Sequence, residues 1–204
     1  MNIFSLILTI LSVVYIVLGV SVLRSDKRSR QNILFFALTI CLVIWSFASA
    51  LYISAPNKAS CVLWYKFSCV GLYLFIGLVL HFFITYTKKG ALLKWWMLAI
   101  LYFPGVFFSL LEVTIDFYAK DYILGQNGWI IVARTDSIWF FASLVYVVAY
   151  IVACICFSHK YCNSVSSYRE KGQAMVLITT SVISMAAGLT IMVLISFFWL
   201  DIPD

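Results

Sequence analysis

Charge interrupts this chain at only a few places, and between them it runs apolar for about 20 residues at a time. A hydrocarbon core about 30 Å thick takes about 20 helical residues to cross. The runs at residues 3–23, 33–53, 61–87, 95–111, 138–158 and 174–200 are long enough or nearly so; the fourth is the shortest. Short charged or polar stretches divide them, among them Arg24 to Arg30, Ser54 to Lys58, and Lys88-Lys89-Gly90. Only 11% of the chain is charged and 64% is hydrophobic, where a soluble domain carries about 25% charge. The expected architecture is a single all-α membrane domain, a bundle of six transmembrane helices over residues 1–204.

The first run is expected to stay in the mature protein. No Lys or Arg precedes Arg24, and the run exceeds the 7–15 apolar residues of a signal-peptide core. Orientation follows from the basic residues, which concentrate on the cytoplasmic side of membrane proteins. Ten of the 14 Lys and Arg lie in the loops after runs one, three and five. Of the eight acids, only Asp26 and Glu170 lie on that side. The N-terminus is therefore expected outside. The net charge of +6 then reflects topology and anionic inner-leaflet lipid, and no nucleic-acid partner is needed to explain it.

Catalytic motifs are missing from the sequence. It has no His-Glu-x-x-His, no Gly-x-Ser-x-Gly, no phosphate-binding loop and no pair of intramembrane aspartates, so no enzymatic activity is expected of this chain. The six cysteines do not form a metal set: Cys154 and Cys156 diverge by about 200° on a helix, and Cys61 and Cys69 are too far apart for a disulfide. Neither a metal nor a cofactor is expected.

Polar residues inside the runs are few enough to weigh singly. His81 lies well inside run three, where neutral imidazole can pack and hydrogen-bond between helices; a ligand or gating role is the alternative. Trp45 lies in the interior of run two and is expected on a helix–helix face. Thr180, Ser184 and Gly188 form a small-residue stripe in run six, which suits close helix packing. At the outer ends of the runs, Trp64, Lys66, Glu112, Asp116, Arg134, Asp136 and Trp139 gather charge and aromatic surface. They form either a solvated rim or the mouth of a ligand site. A ligand would be expected between the outer halves of runs two to five, on Trp64 with Lys66, Glu112, Arg134 or Trp139. Between Glu112 and Asp136 a polar loop is expected, with a tight turn at Gly125-Gln126-Asn127-Gly128.

Runs two and three carry a recognisable pattern: Asn32-Ile33-Leu34-Phe35-Phe36, Trp45-Ser46-Phe47, Leu63-Trp64-Tyr65-Lys66-Phe67, Gly71, and His81 through Tyr86-Thr87. With Pro104 in run four and Arg169 to Gln173 before run six, it resembles the N-terminal seven-transmembrane sensor region of bacterial histidine kinases, which also precedes cyclases and phosphatases. That resemblance implies a sensory or receptor module in the bacterial inner membrane, in contact with lipid. It would bind a small ligand or sense a membrane property and pass the signal to a cytoplasmic partner; a homodimer is one assembly open to it. The family pattern continues past Pro203 into a seventh helix and an output module, whereas this sequence stops at Asp204. The expectation is a truncated sensor or a stand-alone protein on that fold, with catalysis carried elsewhere. The rival reading is a substrate-binding membrane component of a small-molecule uptake transporter.

Overall fold

A computed structural model describes residues 2–87 and 93–164, with five further positions between 171 and 179. Five long helices run back and forth: α1 (Ile3–Ser25), α2 (Arg30–Ile53), α3 (Lys58–Tyr86), α4 (Trp95–Ile115) and α5 (Ile138–Ser164). Between α4 and α5 stands a hairpin of β1 (Ala119–Gly125) and β2 (Gly128–Ala133). All five helices are long and apolar enough to cross a membrane. The sixth expected run, 174–200, lies almost wholly outside the described residues.

Local chemistry explains where the helices begin. The side chains of Asn2, Ser29 and Asn57 accept the backbone N–H of Phe4, Asn32 and Ser60, which satisfies an orphan donor at each helix start. Capping by Asn57 starts α3 at Lys58, three residues before the expected run. Asn32 has a second task. Its side-chain amide faces the carbonyls of Val22 and Asp26 and the Ser25 hydroxyl, each at 3.1 Å, and so ties the end of α1 to the start of α2.

The all-α expectation is corrected between residues 112 and 136. The helix continues one turn beyond the apolar run, to Ile115, and most of the expected loop forms the antiparallel hairpin. Its two-residue turn, Gln126–Asn127, sits where the glycines predicted a turn. Gly128 takes φ 103°, a conformation that costs glycine little. The hairpin is held down on the bundle. Trp129 Nε1 donates to the Ala55 carbonyl at 2.8 Å, Asn2 bonds the Asn127 carbonyl, and Lys58 pairs with Asp121.

Helix α3 is the centre of the bundle, packed on α2, α4 and α5, while α1 packs on α2. In lipid, helices associate through close approach and hydrogen bonds more than by hiding apolar surface. Small residues make that approach here. A Cβ on Gly71 would lie 2.7 Å from the Cys41 carbonyl and 2.8 Å from the Trp45 nitrogen, so α2 and α3 meet backbone to backbone. Gly105 comes as close to the Tyr73 carbonyl, which also accepts the Tyr146 hydroxyl at 3.1 Å, so α3, α4 and α5 converge at that level. Large apolar side chains such as Ile10, Phe103 and Val145 point outward.

Candidate functional site

The polar chemistry collects at the end of the bundle that carries the hairpin. On α3, Tyr65, Cys69 and Tyr73 recur every four residues and lie buried on one face. On α4, Phe108 and Glu112 are spaced likewise and turn toward the same core; Glu112 is fully buried. Asp116 then closes α4 in the left-handed region at φ 47°, ψ 54°, which Asp tolerates better than most side chains. The chain reverses there into Phe117 and Tyr118, and the Tyr118 N–H donates to Glu112 Oε2 at 2.9 Å. Glu112 thus fastens the hairpin's entry strand to the helix that precedes it.

Lys66 stands beside this group. Its Nζ is 3.0 Å from one Asp116 carboxylate oxygen and 3.3 Å from the other, and it donates to the Val113 carbonyl at 3.0 Å. A cation at a helix C-terminus suits both the orphan carbonyls and the helix dipole. Around the carboxylates stands a shell of rings. Tyr65 meets Tyr122 of β1 edge-on at 5.6 Å and Tyr52 of α2 at 5.8 Å. Tyr73, Phe108 and Phe117 lie within 6.1 Å of one another, and Phe108 stacks on Tyr146 at 5.6 Å.

Two polar atoms in this shell, Glu112 Oε1 and the Tyr122 hydroxyl, are buried without a hydrogen-bond partner among the described residues. Burial, reinforced by the charges of Asp116 and Glu112, pushes the Tyr122 hydroxyl well above the usual phenol range. On the solvent side of the same strand, the hydrogen bond from Lys58 holds the Asp121 carboxyl below the usual carboxylate range, helped by the Tyr122 N–H.

Of the residues expected to line a site, the structure brings Lys66 and Glu112 together and spreads the rest. Glu112 was expected in a loop at the mouth; it is instead a core residue, because α4 extends past the apolar run. Trp64 is half-buried one step around α3 from Tyr65, against Phe67 at 5.8 Å. Trp139 opens α5 and meets Phe107 edge-on. Arg134 donates its backbone N–H to the Tyr118 carbonyl at 2.7 Å and forms no ion pair among the described residues. His81 lies about 22 Å further along α3 from Lys66, where Nδ1 is 2.7 Å from the Tyr102 hydroxyl and links α3 to α4. Trp45 is half-buried on α2, its backbone against Gly71. Thr180, Ser184 and Gly188 lie outside the described residues.

Sequence reasoning missed Tyr65, Cys69, Tyr73 and Tyr122 as members of the site. The four-residue spacing of Tyr65, Cys69 and Tyr73 was the signal available. The described residues contain no group of three metal-capable side chains. All six cysteines are free; Cys154 is buried and Cys156 exposed, as their divergence on a helix requires.

The family model for the N-terminal 7TM region of histidine kinase matches residues 3–203. No curated protein and no solved structure matches the chain.

Proposed function

The chain belongs to the family of N-terminal 7TM regions of histidine kinases, multi-pass membrane regions with a sensory role in signal transduction, and on that premise we propose that its hairpin end faces outward and receives the stimulus. The chain then forms one sensor domain in the bacterial inner membrane, with its N-terminus outside and six spans. The loops after α1, α3 and α5 lie in the cytoplasm, where a signalling partner such as a kinase module reads the bundle. The observation that carries the reading is the buried Glu112, which joins α4 to the hairpin beside the Lys66–Asp116 pair. The basic residues support the orientation, because Arg24, Lys27, Arg28 and Arg30 all lie at the opposite end of the bundle from that group.

A stimulus changes such a bundle only by binding two packings with different affinity. Glu112 belongs to α4 and contacts the hairpin's entry strand, while Lys66 belongs to α3 and contacts α4. A change in the charge or hydrogen bonding of this group therefore alters how α3, α4 and the hairpin fit. Helix α3, continuous from Lys58 to Tyr86, carries that change to the other face.

Two measurements test the reading. Cys162 is buried, so topology is better read from exposed positions: Gln126→Cys should react with an impermeant thiol reagent in intact cells, and Lys27→Cys only after permeabilisation. The reverse pattern would overturn the orientation. Lys66→Met, at wild-type abundance in the membrane, should lose a stimulus-dependent transcriptional response that deletion of the chain also loses. Loss of solute uptake with transcription unchanged would instead favour a transport component.

A further inference from the structure

The group at the end of α4 holds more negative charge than it balances. Lys66 is engaged with Asp116 and with the Val113 carbonyl. Lys58 is engaged with Asp121 on the surface, and Arg134 forms no ion pair among the described residues. Among the described residues the charge that acts on Glu112 is that of Asp116, of like sign. Among them, two carboxylates and one ammonium leave one negative charge over, and Glu112 has no exposure to solvent.

The hydrogen bonds show the same deficit. Oε2 of Glu112 accepts from the Tyr118 N–H, and the Ala119 N–H and Tyr65 hydroxyl also approach the carboxyl, whereas Oε1 itself makes no hydrogen bond among the described residues. The Tyr122 hydroxyl on β1 is a second buried atom without a hydrogen-bond partner among the described residues, and its ring packs on Tyr65 in the same core. The other titratable groups of this core among the described residues are Cys61, Tyr65, Cys69 and Tyr73 on α3, Tyr118 before β1, Tyr52 on α2 and Tyr146 on α5. They are phenols and thiols, and none brings a positive charge. An ionised carboxylate in such surroundings is strongly disfavoured until a cation or a proton meets it. The rings exclude a bulky ligand, since Tyr73, Phe108 and Phe117 already stand centroid to centroid at 5.8–6.1 Å. Their faces are at the same time attractive to positive charge.

We propose that Glu112 Oε1, buried in the same aromatic core as the Tyr122 hydroxyl, binds one small monovalent cation taken up from the outer side, a proton or a bare alkali ion. This rests on the reading of the hairpin end as the outward, stimulus-receiving half, and it names the class of stimulus. Uptake of one positive charge makes the group neutral and stabilises the packing of α3, α4 and the hairpin. Loss of it leaves a buried charge that favours their separation.

The test uses the full chain in detergent, with thermal unfolding followed by tryptophan fluorescence. One series lowers the pH in choline chloride; the other replaces choline by sodium or potassium at constant pH. A ligand that binds only the folded state raises the midpoint, here by about 4 °C. A rise in the first series alone identifies the proton, and a rise in the second identifies the alkali ion. Glu112→Gln keeps an acceptor for Tyr118 and removes the charge, so the dependence should vanish. Should that variant fail to fold, a pair of opposite sign decides the matter. Asp116→Asn, a residue that suits φ 47°, should weaken the half-maximal concentration about tenfold, and Lys66→Met should strengthen it about tenfold. A midpoint indifferent to every cation, or a dependence unchanged in Glu112→Gln or in both members of the pair, would overturn the site. If Lys66→Met cells still lost their transcriptional response in that case, the stimulus-receiving role would stand and only the cation would fall.

Discussion

The two ends of the bundle are built from different materials. At the hairpin end the buried core includes four tyrosines, two cysteines and the nearby Glu112, and its contacts are directional: ring edges, hydroxyls and a carboxylate. At the other end Leu38, Val79, Leu80, Phe83, Ile84, Leu101 and Cys154 fill the space with shape alone. Polar contacts between the described helices at that end include His81 with Tyr102, the Tyr150 hydroxyl on the Leu101 carbonyl and the Asn32 amide on the end of α1. The contrast assigns different capacities to the two halves. A close-packed apolar core has no response to a charge and moves only when a whole helix is displaced. A core of hydroxyls around an unbalanced carboxylate changes its preferred packing when one charge arrives. On the proposed reading, the apolar end transmits and the hairpin end detects.

The largest expected effect comes from breaking the transmitting half. Phe83 is 2% exposed, and Phe83→Ala should lower stability by about 3–5 kcal/mol in a denaturation measurement. Its cation dependence at Glu112 should persist in whatever fraction stays folded. A loss under about 1 kcal/mol would mean that this half is not a packed core. Gly71→Val comes next. It forces side-chain carbon against the backbone of Cys41 and Trp45, so α2 and α3 must part, at a cost of about 1–3 kcal/mol. Crosslinking between cysteines placed on those two helices should fall in step.

Smaller changes sharpen the contrast at the other end. Trp129→Phe removes the indole hydrogen bond to Ala55 and should cost about 1 kcal/mol. Amide exchange should quicken across β1 and β2 and stay unchanged at Val79 to Ile84. Uniform quickening would show that the halves are not separable. The least effect is expected from Asp121→Asn, because the Lys58–Asp121 pair lies in solvent. The Asp121 carboxyl is held below its ordinary range, so whatever stability it lends is present above the ordinary carboxylate value. That stability is lost as the pH falls through the lower folded-state value. A difference between this variant and wild type should thus narrow under acid, and a widening there would contradict the pairing.

How much of this was legible depends on how local the cause is. The Gly125–Gly128 turn was visible because a turn is set by a few neighbouring residues. The hairpin flanking that turn was not, since Lys120, Asp121, Gln126 and Asn127 give the stretch a polar look, and no alternation marks Ile130-Ile131-Val132 as a strand. The helix α4 outran its apolar run because Glu112 is buried among tyrosines contributed by α3 and the hairpin, which hydropathy along one stretch of sequence does not record.

The sequence by itself marked out the five described helices long and apolar enough to cross a membrane, because a lipid core tests each stretch of about 20 residues on its own apolarity. Tertiary structure alone decided that Glu112 is a core carboxylate and not part of a rim. It also decided that Tyr65 faces inward where Trp64 does not, and that Lys66 pairs with Asp116. Adjacent residues on a helix differ by about 100° in direction. Which of them meets a partner depends on where the neighbouring helices stand, and that is a property of the packed bundle.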